Sequence, residues 1–199
     1  MSRFEWFYGL EQDYLYPTIS VIEGPVREEV MRVLGVQGNE SERLNAREAL
    51  ESVTRDVELI GLGEDSGLLF TVESNGSTLA VPGVLRKISR KGRCVSVSFS
   101  SEGVHSFHYA VNGELVAYEF DAQDAMAPLR VADPRWNLGW SEVPAGFGGE
   151  DMRRGVHLLA LVEQITGLAS KECWLRERLQ MLSVASSIRF QDTPAWDIP

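Results

Sequence analysis

Arg93-Cys94-Val95-Ser96-Val97-Ser98-Phe99-Ser100, followed by Ser106-Phe107-His108-Tyr109-Ala110-Val111-Asn112-Gly113-Glu114-Leu115-Val116-Ala117-Tyr118-Glu119-Phe120, decides the fold of this chain. In the first run Val95, Val97 and Phe99 alternate with Ser96, Ser98 and Ser100. That is the period of a half-buried strand with one apolar and one hydroxyl face. In the second run Phe107, Tyr109 and Val111 lead into Asn112-Gly113, and Leu115, Val116, Tyr118 and Phe120 lead out. Asn-Gly between two such runs marks a two-residue hairpin, because both central residues need positive φ. Residues 93–121 therefore predict an antiparallel meander.

Upstream, Thr18 to Glu23 (TISVIE) is an apolar, β-branched run ending at Gly24 and reads as a strand. Pro25, with Val26, Val30, Val33 and Leu34 at helical spacing, predicts a short helix stopped by Gly35. Residues 41–54 place Leu44, Ala46, Ala49, Leu50 and Val53 on one stripe behind Ser41, which predicts a second amphipathic helix. Val57–Gly63 and Gly67–Glu73, separated by Glu64-Asp65-Ser66, form a hairpin pattern, and Asn75-Gly76 marks the next reversal. Pro82 opens a helix through Arg90 that turns Val84, Leu85 and Ile88 inward. The aromatics of Phe4-Glu5-Trp6-Phe7-Tyr8 predict a docked arm or short helix.

Downstream the pattern breaks. Residues 122–150 hold Pro128, Pro134 and Pro144 with Gly139, Gly146, Gly148 and Gly149 and have no period, apart from a short helical stretch at 124–129. Helices are then predicted over 151–166 and from Ser170 to about Ser183, followed by an extended tail. The expected architecture is α+β: an antiparallel sheet of meander and hairpins, short amphipathic helices on one face, and a C-terminal helical pair. Residues 1–168 form a single domain that includes the irregular segment, and 169–199 supply a helix and tail docked on it.

The chain has 199 residues and a net charge of −10, with 44% apolar and 24% charged residues, within the range of one globular domain. No apolar window is long enough for a membrane span, and the amino terminus lacks a secretory pattern. Two cysteines, Cys94 and Cys173, are too few for a disulfide framework, which suits a reducing cytoplasm. The charge is uneven: residues 1–80 hold 15 acids against six bases, and residues 81–120 hold three against five. An acidic surface favours a basic protein partner and repels nucleic acid and anionic lipid.

Sites are scarce in the sequence. There is no nucleophile elbow, phosphate-binding loop or zinc-helix motif, and Glu150-Asp151 would repel a phosphate behind the Gly146-Phe147-Gly148-Gly149 loop. His105 and His108 stand three apart in or beside a strand and so face opposite ways, which argues against a metal site. Cys94 suits an ordinary buried position. No cofactor is implied. The exception to the acidic background is Arg86, Lys87, Arg90, Lys91 and Arg93, which could bind a phosphate backbone, an acidic protein, or the acid of this same chain. A second candidate is Arg135, Trp136 and Trp140 in the irregular segment, residue types that anchor interfaces.

Val21-Ile22-Glu23-Gly24 leading to Val30-Met31-Arg32-Val33-Leu34-Gly35, then Phe70-Thr71-Val72-Glu73-Ser74-Asn75-Gly76, Val84-Leu85-Arg86-Lys87-Ile88-Ser89 and Val95-Ser96-Val97 through Phe107-His108-Tyr109-Ala110-Val111-Asn112-Gly113-Glu114-Leu115 together carry a resemblance. Over roughly residues 15–170 the chain resembles an uncharacterised actinobacterial family, domain of unknown function six-four-six-one. In that family the Glu-x-Asn-Gly reversal is often followed by an aromatic, whereas Ser77 follows here. The resemblance implies the fold and no catalytic residues. The expected function is a non-catalytic, acidic, cytoplasmic protein-binding module in an inhibitor, immunity or defence-accessory role. The alternatives are a nucleic-acid or nucleotide sensor using the basic strip and an enzyme with a site assembled across loops around Glu73, His108 or Cys94.

Overall fold

The computed structural model describes residues 5–12, 15–36, 42–54, 57–101, 105–120, 130–131 and 150–185. In chain order its elements are α1 (Glu5–Gln12), β1 (Thr18–Glu23), α2 (Arg27–Val33), β2 (Arg43–Leu44), α3 (Ala46–Ser52), β3 (Val57–Asp65) and β4 (Leu68–Glu73). Then come α4 (Pro82–Ile88), β5 (Arg93–Ser98), β6 (Ser106–Val111), β7 (Glu114–Phe120), β8 (Arg130–Val131), α5 (Glu150–Thr166), α6 (Cys173–Arg176) and β9 (Leu179–Ala185). A 3-10 turn, Thr78–Ala80, precedes α4, and another, Ser89–Lys91, extends it. The fold is α+β.

Among the described residues the strands form one antiparallel sheet in the order β2-β9-β3-β4-β1-β5-β6-β7-β8. The meander and the β3–β4 hairpin fold as their turn residues dictate. Asn112 and Gly113 have φ of 51° and 84°, and Ser66 and Gly67 have 53° and 80°, the paired positive values that a two-residue hairpin requires. The β3–β4 turn is thus Ser66-Gly67, one residue later than the polar cluster suggested.

Helices cover both sheet faces, a correction to the short helices expected on one, because the central strands turn buried apolar residues to each side. α2 and α4 lie on one, where Ile22, Ile60, Leu62, Leu69, Cys94 and Ala110 pack against Val30, Leu34, Val84, Leu85 and Ile88. α1, α3, α5 and α6 lie on the other, against Ile19, Val21, Val95, Val97, Phe107 and Tyr109. α5 presents Val156, Leu159 and Val162 at helical spacing, and Gly155 leaves room for the Phe7 ring of α1, which packs edge-on against Phe99 at 4.8 Å. We call these the α4 face and the α5 face.

Two expected helices are corrected. The helix placed at 41–54 begins at Ala46, because Asn45 and Glu48 form a reciprocal capping box, while Arg43-Leu44 pairs with β9. The helix expected from Ser170 to about Ser183 is a single turn, α6, and Leu179–Ala185 is strand β9, paired with β3 from Val57↔Ala185 to Leu62↔Gln180. Leu-Gln-Met-Leu-Ser-Val-Ala fits either period over so short a run. The ladder with β3 decides it by satisfying backbone groups that an isolated helical turn leaves open.

Candidate functional site

On the α4 face the serines of the opening stretch do not meet solvent. Cross-strand register aligns Thr71, Ser20, Ser96 and His108 in one row and Glu73, Thr18, Ser98 and Ser106 in the next. All but the half-buried Ser98 are buried. The half-buried strand expected from the alternation is covered on both sides, since the hydroxyls pair with one another instead of with water. Ser20 Oγ donates to Ser96 Oγ at 2.9 Å, and Thr18 Oγ1 lies 2.7 Å from Ser98 Oγ and 2.6 Å from the Gly76 carbonyl oxygen.

Glu73 closes one end of this block. Its side chain is 1% exposed and accepts the Thr78 N–H at 2.7 Å and the Leu79 N–H at 2.9 Å, the free donors that begin the 3-10 turn. Glu58 accepts from the Thr78 hydroxyl beside it. The Glu-x-Asn-Gly reversal thus pins residues 74–80 over the sheet. Glu73→Gln replaces one acceptor by an amide facing an N–H, and the expected result is a loss of about 2 kcal/mol, read as a lower urea midpoint with an unchanged slope.

Ser96 and His108 are direct cross-strand partners, yet His108 Nδ1 is buried without a hydrogen-bond partner. A serine nucleophile requires a base within hydrogen-bond reach; Ser96 instead accepts from Ser20. Burial pushes the Cys94 thiol far above its ordinary pKa, and burial followed by the Glu177 carboxylate raises that of Cys173. Both thiols are held in their unreactive form. Among the described residues no group of three or more His, Cys, Asp or Glu side chains is placed to hold a metal ion. A cavity of about 20 Å³ lined by Phe7, Leu10, Leu15, Tyr16, Phe99, Ser100 and His105 has room for about one water. Glu73, His108 and Cys94, the residues of the expected loop-built alternative, thus lie on one face: Glu73 holds a turn, His108 Nδ1 has no hydrogen-bond partner, and Cys94 is held as the thiol.

The basic strip is divided by the sheet. Arg86 and Lys87 belong to α4, and Arg90 and Lys91 to the 3-10 turn behind it. Arg93 lies in β5, in register with Glu23 and in step with Val95 and Val97 on the α5 face. It donates to Glu23 and also bonds the Tyr109 hydroxyl, and these two partners outweigh its burial and raise its pKa. Lys91 Nζ lies 2.9 Å from Glu29 of α2, which also faces Arg32 at 3.7 Å. Lys91 and Arg93 are therefore paired with acids of the chain's own first third.

The C-terminal arm does the same. Asp65 accepts from Lys171, from Trp174 Nε1 at 3.1 Å and from Ser66 at 3.0 Å, and the Lys171 hydrogen bond leads in holding its carboxyl below the ordinary range. Arg178 pairs with Glu48, and Arg27 donates to Gln180 at 2.9 Å. Sequence reading missed Trp174, because its neighbours were assigned to a longer helix. Arg135, Trp136 and Trp140 lie outside the described residues, as does the helix expected at 124–129. No described helix is long and apolar enough to cross a membrane. Comparison with protein-family models, curated proteins and solved structures gives no match.

Proposed function

We propose that this chain is a non-catalytic, cytoplasmic protein-binding module whose partner is a basic protein. An inhibitor, immunity or defence-accessory role, in keeping with the resemblance to the actinobacterial family, is its most specific form. One observation carries the reading. Lys91, Arg93, Lys171 and Arg178 pair with Glu29, Glu23, Asp65 and Glu48, all in the acidic first third, while Glu28, Glu42, Glu51 and Glu64 of that third remain exposed. Cations from later in the chain are engaged, and acid still faces outward. The buried Cys94 thiol and the paired hydroxyls of the α4 face add no activated nucleophile, and the divided strip gives less support to a nucleic-acid footprint, which needs cations on one surface. Exposed large hydrophobic side chains among the described residues are only Val26 and Val53, so charge, more than apolar area, would supply the recognition.

Affinity capture from the native host at low and high salt tests this. A basic protein retained stoichiometrically at low salt, released as salt screens the charges, and lost when Glu42 and Glu51 are both changed to Lys is the expected result. No stoichiometric partner at either salt overturns it.

A further inference from the structure

We propose that His108 is an acid-sensitive trigger built into the sheet, whose protonation opens the β5–β6–β7 side away from α4. His108 sits in β6, 5% exposed, with Nδ1 lacking a hydrogen-bond partner. Its cross-strand neighbours are Ser96 in β5, whose hydroxyl is engaged by Ser20, and Tyr118 in β7. The next positions along β6 on that face are Ala110 and Ser106. A buried imidazolium would therefore have uncharged groups beside it within the sheet.

The elements packed on β6 supply no counter-charge from their described residues. α4 brings Arg86 and Lys87, and the turn after it brings Arg90 and Lys91. The turn Thr78–Ala80 brings no ionisable side chain. From β5, Arg93 is directed to the α5 face and held by Glu23 and Tyr109. In β7, the exposed Glu114 is registered with Val111 and Glu119 with Phe107. Glu73 lies three strands away, with both carboxylate oxygens on backbone N–H groups. A proton on His108 thus places a charge under α4 with no counter-charge among the described side chains beside it, and that charge reaches water when β6 separates from α4.

Burial lowers the imidazole pKa from 6.5 to about 4. The open form takes up the proton first, so the closed form keeps its full advantage above about pH 6.5 and loses it as pH falls toward about 4. The loss is at most tenfold in the closed-to-open ratio per pH unit, about 300-fold across that window. Asp65 is held below its ordinary range first by the Lys171 hydrogen bond, and Glu48 first by the Asn45 backbone N–H, so the links from β3 and α3 to the C-terminal arm resist acid better than free carboxylates would.

Hydrogen exchange of the whole chain, corrected for intrinsic rates, at about pH 7 and about pH 5 tests the trigger. The expected result is a loss of protection of tenfold or more over residues 105–120 at the lower pH, with residues 57–73 unchanged. His108→Gln removes this pH dependence, whereas His105→Gln and His157→Gln keep it. Equal protection at both pH values in the wild type, or an unaltered pH dependence in His108→Gln, overturns the proposal. Should His108→Gln fail to fold, the ring resonances of His108 in the wild type decide: a ring that titrates near its ordinary pKa while residues 105–120 stay protected overturns it, and one that titrates only as that protection is lost supports it.

Discussion

Gly92→Ala is expected to leave the protein unfolded or to destabilise it by more than about 4 kcal/mol, the range of exceptional single substitutions. The reason lies at the α4 end of the central strands, where the chain leaves β1 at Gly24 and joins β5 at Gly92. A Cβ on Gly92 would lie deep inside van der Waals contact of the Glu23 carbonyl oxygen, and its next neighbours are also backbone, Glu23 C and Gly24 Cα. No rotamer change relieves such a clash. Gly92 cannot step aside either, because its N–H donates to Ser89 at 3.0 Å and its carbonyl accepts from Asn112 at 2.8 Å. Gly24 faces it with φ of +104°, and a Cβ there would strike the Lys91 carbonyl. The strain must therefore spread into the β1–β5 ladder, which is the middle of the sheet. A fall of melting temperature on the order of 10 °C or more, or loss of soluble expression, is the expected readout. Gly35→Ala has open space at its Cβ and a φ of +70°, so it carries backbone strain without a clash and should cost only about 1 kcal/mol. Equal effects of the two substitutions would show that the close approach is not the cause.

Trp174→Ala is expected to cost about 3–5 kcal/mol, the range for emptying a buried tryptophan site. The ring is 2% exposed and stacks on Phe70 at 4.5 Å with an interplanar angle of 15°. Phe70 in turn lies over Gly63, its cross-strand partner, which has no side chain to displace it. The indole N–H reaches Asp65, so one side chain ties the β3–β4 hairpin to the C-terminal arm by packing and by a hydrogen bond. Trp174→Phe keeps most of the stack and loses the hydrogen bond, so its cost should fall to about 1–2 kcal/mol. Denaturant midpoints of the two variants separate the contributions. Should both variants lie within experimental error of the wild type, the arm is not held by this residue.

These two residues illustrate what local pattern conveys. Asn112-Gly113 announced its own turn, because the requirement for positive φ is met or failed within two residues. Gly92 was legible only as the end of a helix, since the carbonyl that forbids a side chain there belongs to a residue 69 positions earlier. Ser96 and Ser98 read as a solvent face because a hydroxyl is usually solvated. Their burial depends on Ser20 and Thr18 arriving in register with hydroxyls of their own. The basic strip was legible as composition, but the sheet passing between Lys91 and Arg93 was not.

By itself the sequence determined the α+β class, the central meander, the β3–β4 hairpin and the acidic imbalance, because each rests on periodicity, turn stereochemistry or a count of charges. The tertiary structure alone decided that residues 179–185 are a strand, that the hydroxyl face is internal, that His108 Nδ1 is buried without a hydrogen-bond partner, and that Glu23, Glu29, Glu48 and Asp65 of the acidic third are met by distant cations. Those outcomes depend on which segments become neighbours. Backbone pairing, burial and ion pairing act through space, and a linear sequence does not carry those distances.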